Sequence, residues 1–216
     1  MRIDSQYVFA AVADERRAIA SLLDQLNDEQ LLTPSLCGAW DVKTVAAHLV
    51  SVFSDSFWVF QWTALRRAGV NRAIDHLARQ RAQLPAPEIA ATLRRHADRP
   101  LSPPITGPLS SLTDVLVHGG DIRIPLGFAF CPDSVRVSSA LDFLTGPRPL
   151  GFVPRGRLKG IRLRGTDVGR AWGSGVEVTG PVSALMMTAC GRTALLDQLD
   201  GPGLPLLKAR LGAEQC

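Results

Sequence analysis

Ser111–Pro125 reads SLTDVLVHGGDIRIP. Asp114 and His118 lie four residues apart in it, separated by the apolar Val115, Leu116 and Val117, and a second carboxylate follows at Asp121. On a helix, residues at i and i+4 share a face one turn apart. A helix that turns an acid and an imidazole inward among apolar neighbours needs a reason to bury them. A divalent metal is one such reason, because its charge compensates the carboxylate and the imidazole is a good ligand. Pro108 suits the first turn of this helix. Gly119 and Gly120 weaken it by roughly 1 kcal/mol each relative to Ala, but let another group come close.

Upstream, the chain reads as helices. Ser5–Asn27 carries apolar residues at helical spacing (Phe9, Val12, Ile19, Leu22, Leu26). Pro34 and Gly38 mark a loop, and Asp41 is placed to cap a helix running from Val42 to about Arg67. His48 sits within it beside Ala46 and Ala47, whose small side chains leave room for something to approach. Further helices are expected over Asn71–Gln83, Glu88–Ala97 and Ser134–Leu144, with a proline-rich loop over Arg99–Pro108. Trp58 and Trp62, at i and i+4, suit a core or a pocket wall.

The pattern changes after Phe130. Gly146–Pro154 has the Gly and Pro content of a linker. Leu158–Arg164 alternates apolar and basic residues, as a half-buried strand does, and Arg170–Trp172 and Val176–Thr179 suit two more short strands. Pro181 opens a helix through Cys190, and Thr193–Leu199 and Leu204–Leu211 are short helical candidates. The expected fold class is α+β overall: a helical bundle over residues 1–130 and a small α+β domain over 131–216.

Composition bounds the partners. The 216 residues are 46% hydrophobic and carry a formal charge of +4, from 24 basic and 20 acidic side chains. A mild, scattered excess permits an anionic small molecule and argues weakly for nucleic acid. The N-terminus lacks the apolar run of a signal peptide, and no stretch approaches the length of a membrane span. A cytoplasmic protein, monomeric or homodimeric, is expected. The four cysteines (Cys37, Cys131, Cys190, Cys216) form no CxxC pair and read as free thiols. Cys37 could be a ligand or nucleophile, although a small buried filler is the simpler reading.

Thr33–Leu49 (TPSLCGAWDVKTVAAHL) and Leu112–Gly127 (LTDVLVHGGDIRIPLG) resemble the mycothiol-dependent maleylpyruvate isomerase family, within the DinB-like metal-binding four-helix-bundle superfamily. Gly160–Arg192 resembles that family's small C-terminal domain, which is similar to sterol-carrier folds. The resemblance implies a metal held by His48, Asp114 and His118, the residues already singled out. Where the isomerase has Glu, this chain has Asp114, one methylene shorter, so the carboxylate must come closer or act through water. Asp121 matches an acidic position downstream and is expected to brace a ligand or face substrate.

Two His and a carboxylate leave coordination positions open, as at a catalytic zinc site, and also suit nickel, iron or manganese. The resemblance names mycothiol as the thiol that would be activated there. Attack by its thiolate on a small electrophile gives isomerisation or S-transfer. Arg72, Arg79 and Arg192 are candidates to anchor an anionic co-substrate, and Arg192 lies in a Cys-Gly-Arg turn that matches a Gly-Arg motif of the family. Two other functions fit the same fold: a metal-dependent hydrolase activating water, and a non-catalytic ligand-binding or stress-resistance protein.

Overall fold

The computed structural model describes residues 4–54 and 69–213. They fall into two compact units, Val12–Arg99 with Asp121–Phe128, and Met1–Ala11 with Pro100–Gly120 and Ala129–Cys216.

The first of these units is helical. Helix α1 (Ser5–Leu23) enters it with Ile19, Ala20 and Leu23 buried on one face. A single turn follows, α2 (Asp28–Leu31), fixed by a capping box in which Asn27 and Gln30 exchange side-chain and backbone bonds. Helix α3 (Val42–Ser54) starts where expected, the Thr44 N–H donating to Asp41 Oδ1 at 2.7 Å. The remainder of the long helix expected to run to Arg67, with Trp58 and Trp62, lies outside the described residues. Helices α4 (Val70–Arg81) and α5 (Ala86–Arg95) pack against α3. Ile89 and Leu93 of α5 are fully buried. The buried Arg16 side chain closes the end of this helix pair, donating to the carbonyls of Ala97 at 2.9 Å and Arg99 at 3.0 Å. Those carbonyls follow the C-terminus of α5, where a cation is favoured.

Helix α6 (Pro108–Arg123) carries the opening stretch. It is buried almost all round from Ser110 to Ile122, so its polar side chains are enclosed along with its apolar ones.

The other unit holds the mixed part of the fold. Helix α7 (Ser134–Leu144) has the expected bounds, and Asp133 caps it by accepting from the N–H groups of Val135 and Arg136. Three strands follow, β1 (Ile161–Gly165), β2 (Ala171–Gly173) and β3 (Val176–Gly180), in the order β2-β1-β3. Strand β1 is antiparallel to β2 and parallel to β3. Ile161 and Leu163 of β1 are buried while Arg162 and Arg164 face out. Arg164 Nε meets Glu177 Oε2 across the parallel pair at 2.8 Å. Helix α8 (Val182–Ala189) packs on β1, β3 and α7, contributing the buried Leu185 and Met186. Helix α9 (Leu204–Ala213) follows. The helical turn expected over Thr193–Leu199 is one 3-10 turn, Leu196–Gln198. Gly146–Pro154, expected as a linker, lies inside this unit. Its Phe152 ring stands edge-on to Phe143 of α7 at 5.4 Å.

The fold is α+β, helices with one small sheet, as the change of pattern after Phe130 predicts.

Candidate metal centre

Helix α6 fixes the first two groups. His118 Nε2 and Asp114 Oδ1 are 3.4 Å apart, one turn from each other, with His118 buried and Asp114 half-buried. Val115, Leu116 and Val117 between them are also buried. Near the end of the helix, Gly120 allows a close approach. A Cβ there would lie 2.8 Å from both Sδ and Cε of Met187. The Phe130 ring would lie 3.0 Å away, and Met187 is itself fully buried, so both must repack to admit a methyl. Gly120→Ala is therefore expected to lower stability by about 1–3 kcal/mol, overpacking outweighing the gain in helix propensity. Urea unfolding measures this.

Asp121 lies one turn beyond Val117 on the same helix and is fully buried. Its backbone carbonyl accepts the Leu36 N–H at 3.3 Å, which brings the Leu36–Cys37 loop to this end of α6. Cys37 is a half-buried free thiol, with its backbone N–H on Ser35 Oγ at 3.1 Å. Two residues on from Asp121, burial pulls the Arg123 guanidinium below its ordinary pKa, and the Glu15 carboxylate partly offsets this.

His48 is half-buried on α3, next to the fully buried Ala46 and Ala47. The indole of Trp40 covers it, with ring centroids 5.2 Å apart and planes tilted by 41°. Trp40 is itself held. Its Nε1 donates to Asp75 Oδ1 at 2.7 Å, and the same oxygen receives Arg79 Nε at 2.9 Å. Arg79 Nη2 reaches back to the Ala39 carbonyl at 3.2 Å. Helix α4 thus clamps the loop before α3 and sets the indole against the imidazole. Removing the clamp with Asp75→Ala is expected to lower stability by about 1 kcal/mol, the scale of a part-exposed charged hydrogen bond. Denaturant unfolding, with tryptophan emission as the local probe, reads it.

Arg72 is exposed at the start of α4. Arg192 follows α8, where its Nη1 donates to the Cys190 carbonyl at 2.8 Å.

Two sets of donors among the described residues could hold a metal ion, and they share His118: His48, Asp114 and His118, and Cys37, His118 and Asp121. The first set is the one the sequence singles out. The Trp40, Asp75 and Arg79 clamp was not foreseen, and no periodicity links residues so far apart in the chain.

Residues 12–103 match the family model described as the mycothiol maleylpyruvate isomerase N-terminal domain. That segment, under half of the chain, is similar to the N-terminal domain of this family. The fold agrees over nearly the whole length. The crystal structure of a mycothiol-dependent maleylpyruvate isomerase superposes with a TM-score of 0.59 over 93% of both chains, at 12% identity. A histidine-to-alanine mutant of that isomerase superposes equally well, with the same TM-score of 0.59 and 12% identity over 93% of both chains. At that identity the likeness is one of fold. No curated protein matches significantly. Of the donors above, His48 and Cys37 lie within the segment that matches, and Asp114, His118 and Asp121 follow it.

Proposed function

We propose that this chain is a divalent-metal-dependent enzyme that uses mycothiol as its thiol co-substrate. Its reaction is S-transfer to, or isomerisation of, a small electrophile. His48, Asp114 and His118 are the metal ligands in this reading, and zinc is the preferred ion.

One observation carries the reading: the 3.4 Å separation of Asp114 Oδ1 and His118 Nε2. A charge-assisted hydrogen bond between such groups closes to about 2.7–2.9 Å. Two ligands on a tetrahedral ion with bonds of roughly 2.0–2.2 Å lie about 3.3–3.5 Å apart. The pair therefore has the spacing of two ligands on one ion rather than of a mature ion pair. In this reading the shorter Asp side chain ligates directly, without an intervening water. The family match supports the thiol, since the related isomerase is mycothiol-dependent.

The chemistry such an ion supplies is a lowered thiol pKa, so that thiolate is available at neutral pH. The chain's own residues do the rest. Trp40 limits the orientation of the His48 imidazole and keeps water from that face. Asp121 is placed one turn from His118 to brace it, as outer carboxylates orient ligating imidazoles. Arg72 and Arg192 are the candidates to hold an anionic co-substrate. Arg79 is a weaker one, because its guanidinium already serves Asp75 and the Ala39 carbonyl.

The wider assignments follow from the same reading. Residues 1–130 would be a DinB-like four-helix bundle and 131–216 a domain related to sterol-carrier folds. The family match lies wholly in the former and the sheet wholly in the latter. A cytoplasmic location suits a thiol-using enzyme whose described cysteines are free. No described helix is long and apolar enough to cross a membrane.

Calorimetric titration of mycothiol into zinc-loaded and chelator-treated protein tests the proposal. Binding that requires the metal supports it. Metal-loaded protein that ignores the thiol and hydrolyses esters or amides would move the assignment to a hydrolase.

A further inference from the structure

A second candidate site lies within the unit that carries the sheet. A cavity of about 630 Å³ opens there between the end of α7, the Gly146–Gly160 segment and the buried face of β1. That volume is in the range of small-ligand pockets, roughly 300–1,000 Å³. Leu144 and Ile161 form its apolar floor, and Ile105, two-thirds exposed, stands at its mouth. Among the described residues, three cations line it, Arg148, Arg155 and Lys159, all exposed, and no carboxylate does.

The wall is built rather than loose. Arg210 of α9 donates to the carbonyls of Arg157 and Lys159, both at 2.7 Å. The buried Arg157 side chain donates in turn to the Ala189 carbonyl at 2.9 Å, tying the segment to the end of α8. The Phe152–Phe143 contact pins its other end. Like charges that line one pocket repel one another unless an anion joins them.

We propose that this pocket binds a small organic anion with an apolar body, an alkyl or aryl carboxylate. The carboxylate pairs with Arg148 and Arg155 at the rim, where a guanidinium can grip it in bidentate fashion. The body lies over Leu144 and Ile161. The pocket shares no residue with the proposed metal ligands, so the two proposals stand or fall separately.

Decanoate, decanol and inorganic phosphate separate the contributions, with binding followed by calorimetry at low and high salt. Decanoate is expected to bind at least about tenfold more tightly than either the uncharged alcohol or the bare anion, and to weaken with salt. The double variant R148Q/R155Q should lose about tenfold or more in decanoate affinity while melting like the parent, since both side chains are exposed. Ile105→Glu, which puts a carboxylate at the mouth, should weaken decanoate and spare decanol. Equal affinity for decanoate and decanol, decanoate binding unchanged in the double variant, or no binding at millimolar decanoate would each overturn the proposal.

Discussion

His118→Ala is expected to abolish metal binding and, with it, thiol-dependent activity. His118 is common to both donor sets, so no alternative grouping of the described residues keeps a site without it. Loss of a group that merely supports a ligand costs roughly 10–100-fold in metal affinity. Loss of the ligand itself should exceed that, with metal titration falling by more than about 100-fold. The effect can be separated from misfolding. In the parent, added zinc at about a hundred times its Kd should stabilise the fold by roughly 2.7 kcal/mol. In His118→Ala that rise vanishes, whatever the basal melting temperature. His118→Gln, closer in size, guards against a cavity effect at this buried position. Asp114→Asn should weaken metal affinity less, since the amide keeps one oxygen of the right reach.

Gly175→Ala is expected to be among the most damaging single substitutions to stability. Gly175 has φ +128°, and a Cβ there would fall 2.0 Å from the carbonyl oxygen of Gly160 and 2.2 Å from its carbon. Those are backbone atoms, and the same Gly160 carbonyl accepts the Val176 N–H at 3.0 Å. Relieving the clash therefore breaks the bond that starts β3 and shifts its register with β1. A strained φ of this kind costs on the order of 1–3 kcal/mol before any clash. Backbone displacement should bring the total above about 3 kcal/mol. Urea unfolding should show it, with near-ultraviolet circular dichroism reporting Trp172 on β2. The contrast with Gly120 is physical: there the intruding methyl meets the side chains of Met187 and Phe130 rather than backbone.

Much of this fold is written locally. Asp41, Pro108 and Asp133 each mark a helix start through capping or a preset φ, and the helices α3, α6 and α7 begin beside them. The apolar-basic alternation of β1 survives as buried Ile161 and Leu163 with outward Arg162 and Arg164. Short elements were harder to read. Helix α2 is a single turn, too brief for a periodic signal, although its Asn27–Gln30 capping box is visible in sequence once sought. Around Leu196, propensity suggested a longer helix, and only one 3-10 turn forms.

Among the candidate ligands, Asp114 and His118 stand out in the sequence because helical spacing alone joins them, and His48 because its small neighbours leave room for something to approach it. The clamp on Trp40 was not, because Asp75 lies 35 positions along the chain and only tertiary packing brings it to the indole. Gly146–Pro154 misled for the same reason. Its Gly and Pro content reads as a linker, but its Phe152 packs edge-on to Phe143 of α7, and the residues that follow it are held by Arg210, 51 positions from Lys159.

The most direct test of the central claim is the metal content of the purified protein by inductively coupled plasma mass spectrometry, for the parent and for His48→Ala. The account predicts roughly one divalent ion per chain in the parent, zinc foremost, and loss of most of it in the variant. A parent chain that neither carries nor takes up a divalent ion, or a His48→Ala chain that retains its full complement, would contradict it.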